Sequence, residues 1–335
     1  MTDREARLRH ALAAALERYD DRVGEAFPDE VELKINPSDA FLALVRPSET
    51  GVVIEATVEV VARIEEAWAA TLNLSNALPS DSQIALLGDH DHVVDIALRW
   101  LMQHELNHVA VGHFKLSAGA GIVEGGGLTQ FALANQKHRP ASPLDQLNPA
   151  DRKMTPLCLE LQADHDTTEI VLGAYFNENH ELFRYYAICI ALVIFVIERI
   201  DREQGNQEIT HPRASTRLFM LLAYLVELPY IPAYKQAAQE GLEHMPEEYL
   251  PDETEVQQYS KAVVGPVFAA CEIIAEAVEL PNILEELGGT EAFFADIQKA
   301  VLGGNGNIEE FETECAKQWA ALKPLNDRLL RMLGW

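Results

Sequence analysis

Residues 101–114 read LMQHELNHVAVGHF and place three histidines and one glutamate in the ten positions from His104 to His113. On an α-helix, residues four apart differ by roughly 40° in azimuth and about 6 Å along the axis, so His104 and His108 direct their imidazoles at one ion. Glu105 then stands beside that ion without ligating it. This is the HExxH arrangement, in which a metal acidifies a water and the neighbouring carboxylate takes its proton. Ala97 and Leu101 precede His104 on the same helix face and turn the histidines towards the interior. Five-residue patterns with two unrestricted positions also arise by chance, with the histidines as ordinary core or surface groups, so the reading depends on what else the chain offers a metal.

A second segment, CLELQADHDTTEIVL from Cys158, sets Glu160 and Asp164 four apart on another expected helix. If Glu160 completes a set of two histidines and one glutamate, the fourth position stays open, which separates catalytic from structural zinc. Asp164, one turn later, is then placed to hydrogen-bond the free nitrogen of a ligating histidine. Standing alone, the segment reads as an acidic, solvated helix face. A third segment, ITHPRASTRLFMLLAYL, puts His211 just before a helix that Pro212 is suited to start and Arg217 about one and a half turns inside it. Either side chain suits an oxyanion donor, or the pair is a helix cap and a surface arginine.

His113 tests a different zinc-site pattern, HExxHxxGxxH, and fails it, because Gly112 and His113 follow His108 by four and five residues. On a continuing helix His113 points roughly 140° away from His108, which suits a supporting or helix-end position rather than ligation. The stretch GDHDH, residues 88–92, reads as a helix start capped by Asp89 or Asp91.

HELNHVAVGH, ELQAD and THPRASTR, in that order, resemble the three signatures of gluzincin metallopeptidases, especially the HtpX and CAAX prenyl protease group. The resemblance covers about residues 90–220. It implies a zincin-like core holding Zn²⁺ through His104, His108 and Glu160, with Glu105 as base, Asp164 supporting the ligands, and His211 or Arg217 near the oxyanion. The chain departs from that group in lacking its transmembrane helices. In size and character, and in HELNH and LELQAD, it is similar to the soluble Lit-type phage-exclusion peptidases.

Composition narrows the partners. Acidic residues outnumber basic ones 53 to 26, a formal charge of −27, which repels nucleic-acid backbones and anionic membrane surfaces. The N-terminus carries charge throughout and reads as an amphipathic helix rather than a secretory signal. Cys158, Cys189, Cys271 and Cys315 stand far apart, fitting a reducing cytoplasm better than a disulfide framework. The most apolar run, Tyr186 to Ile197, is shorter than the roughly 20 residues that span a bilayer and reads as a buried core helix, without stable membrane insertion.

Along the chain, VELKIN, AFLALVRP and GVVIEAT predict a small antiparallel sheet after the first helix. From about Pro156 nearly everything reads as helix. The expectation is a predominantly helical α+β fold in one continuous unit, 1–335, with an N-terminal α+β part (1–80), a zincin-like catalytic core (81–230) and a helical C-terminal part (231–335). The glycine-rich stretch SAGAGIVEGGG from Ser117 to Gly127 lacks GxGxxG and reads as either a lid over substrate or a plain connector.

These readings predict a soluble zinc endopeptidase that acts on a protein or peptide in the cytoplasm. The alternative is a non-catalytic zincin-fold protein that regulates or binds, which would have no need of Glu105.

Overall fold

The structure, a computed structural model, describes residues 2–79, 89–116, 142–175, 179–205, 211–242, 244–302 and 308–335. The three extended segments predicted from alternation form strands β1 (Glu30–Asn36), β2 (Ala43–Pro47) and β3 (Gly51–Thr57) in one sheet of order β1-β3-β2. The expected all-antiparallel pairing is corrected: β2 pairs antiparallel with β3, but β1 pairs parallel with it, from Glu30 opposite Gly51 to Asn36 opposite Thr57. The hairpin turn, with the Ser48 N–H donating to the Gly51 carbonyl, puts β2 on one edge of β3, so β1 takes the other edge. Alternation shows which face a strand buries and is silent on the direction of its neighbour. Gly51 admits this pairing, because a Cβ there would collide with the Glu30 carbonyl oxygen.

Thirteen α-helices occupy most of the remaining described chain: α1 (Asp3–Val23), α2 (Val58–Ala77), α3 (His90–Ala110), α4 (His113–Leu116), α5 (Pro149–Leu172), α6 (His180–Gln204), α7 (Ala214–Glu227), α8 (Ile231–Gln239), α9 (Glu253–Tyr259), α10 (Gly265–Ala277), α11 (Asn282–Leu287), α12 (Thr290–Leu302) and α13 (Glu314–Leu333). The fold is therefore predominantly helical α+β. Thr2 and Glu5 close a reciprocal capping box on α1, whose Leu8, Ala11, Leu12, Ala15 and Tyr19 form the buried stripe. Helix α3 is central, packed against α1, α2, α5, α6 and β2. Helix α5 begins seven residues before Pro156, because Asn148 accepts from the Asp151 N–H as N-cap and Pro149 takes the first helical position; Pro156 lies inside the helix.

The apolar run from Tyr186 sits within α6, a helix of 25 residues, twice as long as the run itself. By length and composition alone, His180–Gln204 and Ala214–Gln239 are each long and apolar enough to cross a bilayer, and 67% of each apolar window is buried inside the protein. One large core joins the sheet to α1, α2, α3, α6, α7 and α10. A smaller apolar cluster of Leu116, Leu144, Leu157, Leu161, Leu322, Leu325 and Leu329 joins α4 and α5 to α13. All four cysteines are buried and unpaired, and burial pushes the Cys158 thiol up to about 12.

Candidate metal centre

The histidines arrive on α3 because Asp89 caps that helix, accepting from the His92 N–H, and because Ala97, Leu98 and Leu101 anchor it in the core. From Gln103 to His108 every side chain is buried. Six buried positions in succession leave no solvent face, so the polar ones must find partners inside the protein. Asn107 Nδ2 donates to Thr167 Oγ1 at 2.8 Å, tying α3 to α5, and that contact sets the two helices in register.

In that register α5 delivers Glu160 opposite the two histidines. His104 Nε2 lies 3.2 Å from His108 Nε2 and 3.2 Å from Glu160 Oε2, and His108 Nε2 lies 3.6 Å from Glu160 Oε1. Together they form a buried group able to hold a metal ion. The donor set fits zinc: ligands bound at 2.0–2.1 Å in a tetrahedron are separated by about 3.3 Å. Two imidazoles and one carboxylate are also a catalytic rather than a closed structural complement.

Each histidine is held from behind at its other ring nitrogen. His104 Nδ1 lies 3.0 Å from Asp164 Oδ1. Arg217 grips the same carboxylate with Nε at 2.6 Å and Nη2 at 2.7 Å. Burial alone raises the Asp164 carboxyl, but the Arg217 guanidinium and the His104 hydrogen bond outweigh it and leave the group at about 2, so Asp164 stays ionised. His108 Nδ1 lies 2.8 Å from His113 Nδ1, and His113 Nε2 lies 2.9 Å from Gln162 Oε1. His113 does not point away as a continuing helix would have it. Gly112, at φ +91°, ends the helix and folds the chain back, a conformation that side chains other than glycine rarely adopt.

His211 Nδ1 donates to Asp201 Oδ2 on α6 at 2.7 Å, and its Nε2 stands 3.8 Å from Glu160 Oε2. Burial disfavours the imidazolium, yet the Asp201 carboxylate, with Glu160 beyond it, pushes the group up to about 9. Glu198, one turn before Asp201 on α6, accepts from the Ala214 N–H and so holds the start of α7 beside the site. Arg217 is buried behind Asp164 rather than on the surface. Glu105 is fully buried next to His104 in the chain.

The structure thus gathers His104, His108, Glu160, Asp164, His113, His211 and Arg217 around one centre. Gln162, Asn326 and Asp201 also belong to it and escaped the sequence reading. Asp201 pairs with a histidine ten residues away across a helix end, and Gln162 and Asn326 are neutral amides without a motif. The glycine-rich stretch Ser117–Gly127 lies outside the described residues. The Ser142 hydroxyl donates to the Leu116 carbonyl, joining the described residues on either side of residues 117–141.

A family model described as Peptidase U49 matches residues 52–229, just over half of the chain, and its span contains all three side chains of the group that could hold a metal ion. No curated protein and no solved structure matches the chain. The chain belongs to the peptidase U49 family.

Proposed function

We propose that this member of the peptidase U49 family is a zinc-dependent endopeptidase cutting a soluble protein of the cytoplasm. The observation that carries the reading is the buried triangle of His104, His108 and Glu160, with edges of 3.2, 3.2 and 3.6 Å. His104, His108 and Glu160 would hold zinc, which would supply Lewis acidity and make water more acidic. The Glu105 carboxylate takes the proton of the attacking water and returns it to the leaving amine. His211, held cationic by Asp201, offers its Nε2–H to the negative oxygen that develops on the scissile carbonyl. Arg217, with Nε and Nη2 both on Asp164, acts through that carboxylate by orienting His104.

The order of the three segments, similar to that of the HtpX and CAAX prenyl protease group, supports this distribution of roles. Two features support a soluble substrate in a reducing compartment: both apolar helices bury most of their length within the protein, and all four cysteines are unpaired. The acidic surface supports a protein partner over nucleic acid.

The test uses protein purified without a metal-binding tag. Elemental analysis is expected to find one zinc per chain in the wild type and in Glu105→Gln, and far less in Glu160→Ala, which leaves only two protein ligands. Wild type and Glu105→Gln are then incubated with soluble and membrane fractions of a cell lysate, and new N-termini are mapped by mass spectrometry. Cuts in the soluble fraction that vanish with Glu105→Gln are the expected result. Cuts confined to membrane proteins overturn the substrate class, and cuts equal in both proteins overturn the role of Glu105.

A further inference from the structure

We infer that Gln162 and Asn326 are positioning residues which, acting through His113, select the tautomer of His108 that can bind a metal. The inference rests on the zinc reading of the site and deepens it. A neutral imidazole has one N–H donor and one lone pair, and the partners of its two nitrogens decide which is which.

The order of donors can be followed inward from α13. Gln162 Nε2 lies 2.9 Å from Asn326 Oδ1 and 3.5 Å from the Asn326 main-chain oxygen. A main-chain carbonyl only accepts, so the Gln162 atom that faces it is the NH₂ group, and the orientation of the amide is settled. Gln162 Oε1 therefore faces His113 Nε2, at 2.9 Å, and an amide oxygen also only accepts. His113 consequently carries its hydrogen on Nε2 and presents a lone pair at Nδ1. That lone pair accepts from His108 Nδ1–H across 2.8 Å. His108 is left with its own lone pair on Nε2, the atom that faces His104 and Glu160.

Reversing the amide reverses every step. An NH₂ group aimed at His113 Nε2 makes His113 Nδ1 the donor and His108 Nδ1 the acceptor, and a hydrogen on His108 Nε2 then points into the metal position. The two ligand histidines are thus oriented by different means. His104 is held by a charged pair, Asp164 with Arg217, and His108 by a chain of neutral groups ending on a helix 164 residues away in sequence from Gln162. That helix, α13, lies wholly outside the residues matched by the family model.

Long-range ¹H–¹⁵N spectra of the histidine rings, recorded on metal-free protein at about pH 8, above the ordinary imidazole range, read each tautomer directly. The wild type is expected to carry hydrogen on His108 Nδ1 and His113 Nε2. Asn326→Asp, which keeps an accepting oxygen, is expected to preserve both. Gln162→Met, similar in length but without the amide, should let His108 populate the Nε2–H form, and zinc affinity measured by chelator competition should fall about 10- to 100-fold. A wild-type His108 carrying its hydrogen on Nε2 overturns the inference without any variant, so misfolding of Gln162→Met would not shield it. An unchanged His108 tautomer in folded Gln162→Met overturns it as well. A wild type that binds no zinc, with tautomers that still follow Gln162, overturns the zinc reading and leaves the relay standing.

Discussion

His211 and Arg217 reach the same centre by different routes, and their variants should fail differently. His211→Ala removes a donor facing the reaction, so kcat is expected to drop about 10²- to 10³-fold with zinc affinity nearly unchanged. Arg217→Lys keeps a charge but loses the two-point grip on Asp164, so zinc affinity is expected to fall about 10- to 100-fold, as measured by chelator competition. Equal loss of zinc in both would remove the distinction. Asp164 also carries a pH signature. Its folded-state value of about 2 lies below the 3.8 of an ordinary aspartate, so its charge stabilises the fold. That contribution is complete above the ordinary value and is lost as pH falls through about 2. The difference in melting temperature between wild type and Asp164→Asn should therefore be constant above about pH 5 and shrink below pH 4. The candidate metal-binding cluster was legible because His104 with His108, and Glu160 with its neighbour Asp164, each stand four apart, close to the spacing of one helical turn. Asn326 was not, because no local period connects residues brought together by tertiary packing.

Among the elements, the turn between α3 and α4 matters most to the centre. Gly112 is the residue that lets the chain double back and set His113 on His108. Gly112→Ala is expected to cost roughly 1–2 kcal/mol in thermal unfolding, the strain of a left-handed conformation on an L-residue. It should also weaken zinc binding by displacing His113, whereas an alanine at Gly205, the left-handed cap of α6 on the far side from that turn in sequence, should cost stability alone. Strands β1 and β3 were visible almost to the residue and β2 to within three at its start, because alternation and the bounding turns marked them. Their pairing was not, since period two is common to parallel and antiparallel neighbours. The start of α5 was missed by the seven residues between Pro149 and Pro156, although Asn148 and Pro149 are a cap and first-turn pair.

At the scale of the whole molecule, the candidate metal centre sits where the large core of α3 and α6 meets the smaller leucine cluster of α5 and α13. The C-terminal helix is accordingly part of the site's support, which the local motifs gave no means of seeing. The burial of α6 has a further consequence, for how the protein is made. From Ala187 to Glu198 every side chain of this helix is buried, and one of the surfaces that covers it, α10, ends at Ala277. A ribosome adding about 5–20 residues per second reaches that point some 4–15 s after finishing α6, and through that interval an apolar helix waits without its cover. Nascent chains are therefore expected to recruit chaperones that shield apolar segments. Refolding from denaturant should lose yield as protein concentration rises through the micromolar range, a loss read by light scattering and reversed by adding such a chaperone. A yield independent of concentration would mean that α6 finds shelter before α10 exists.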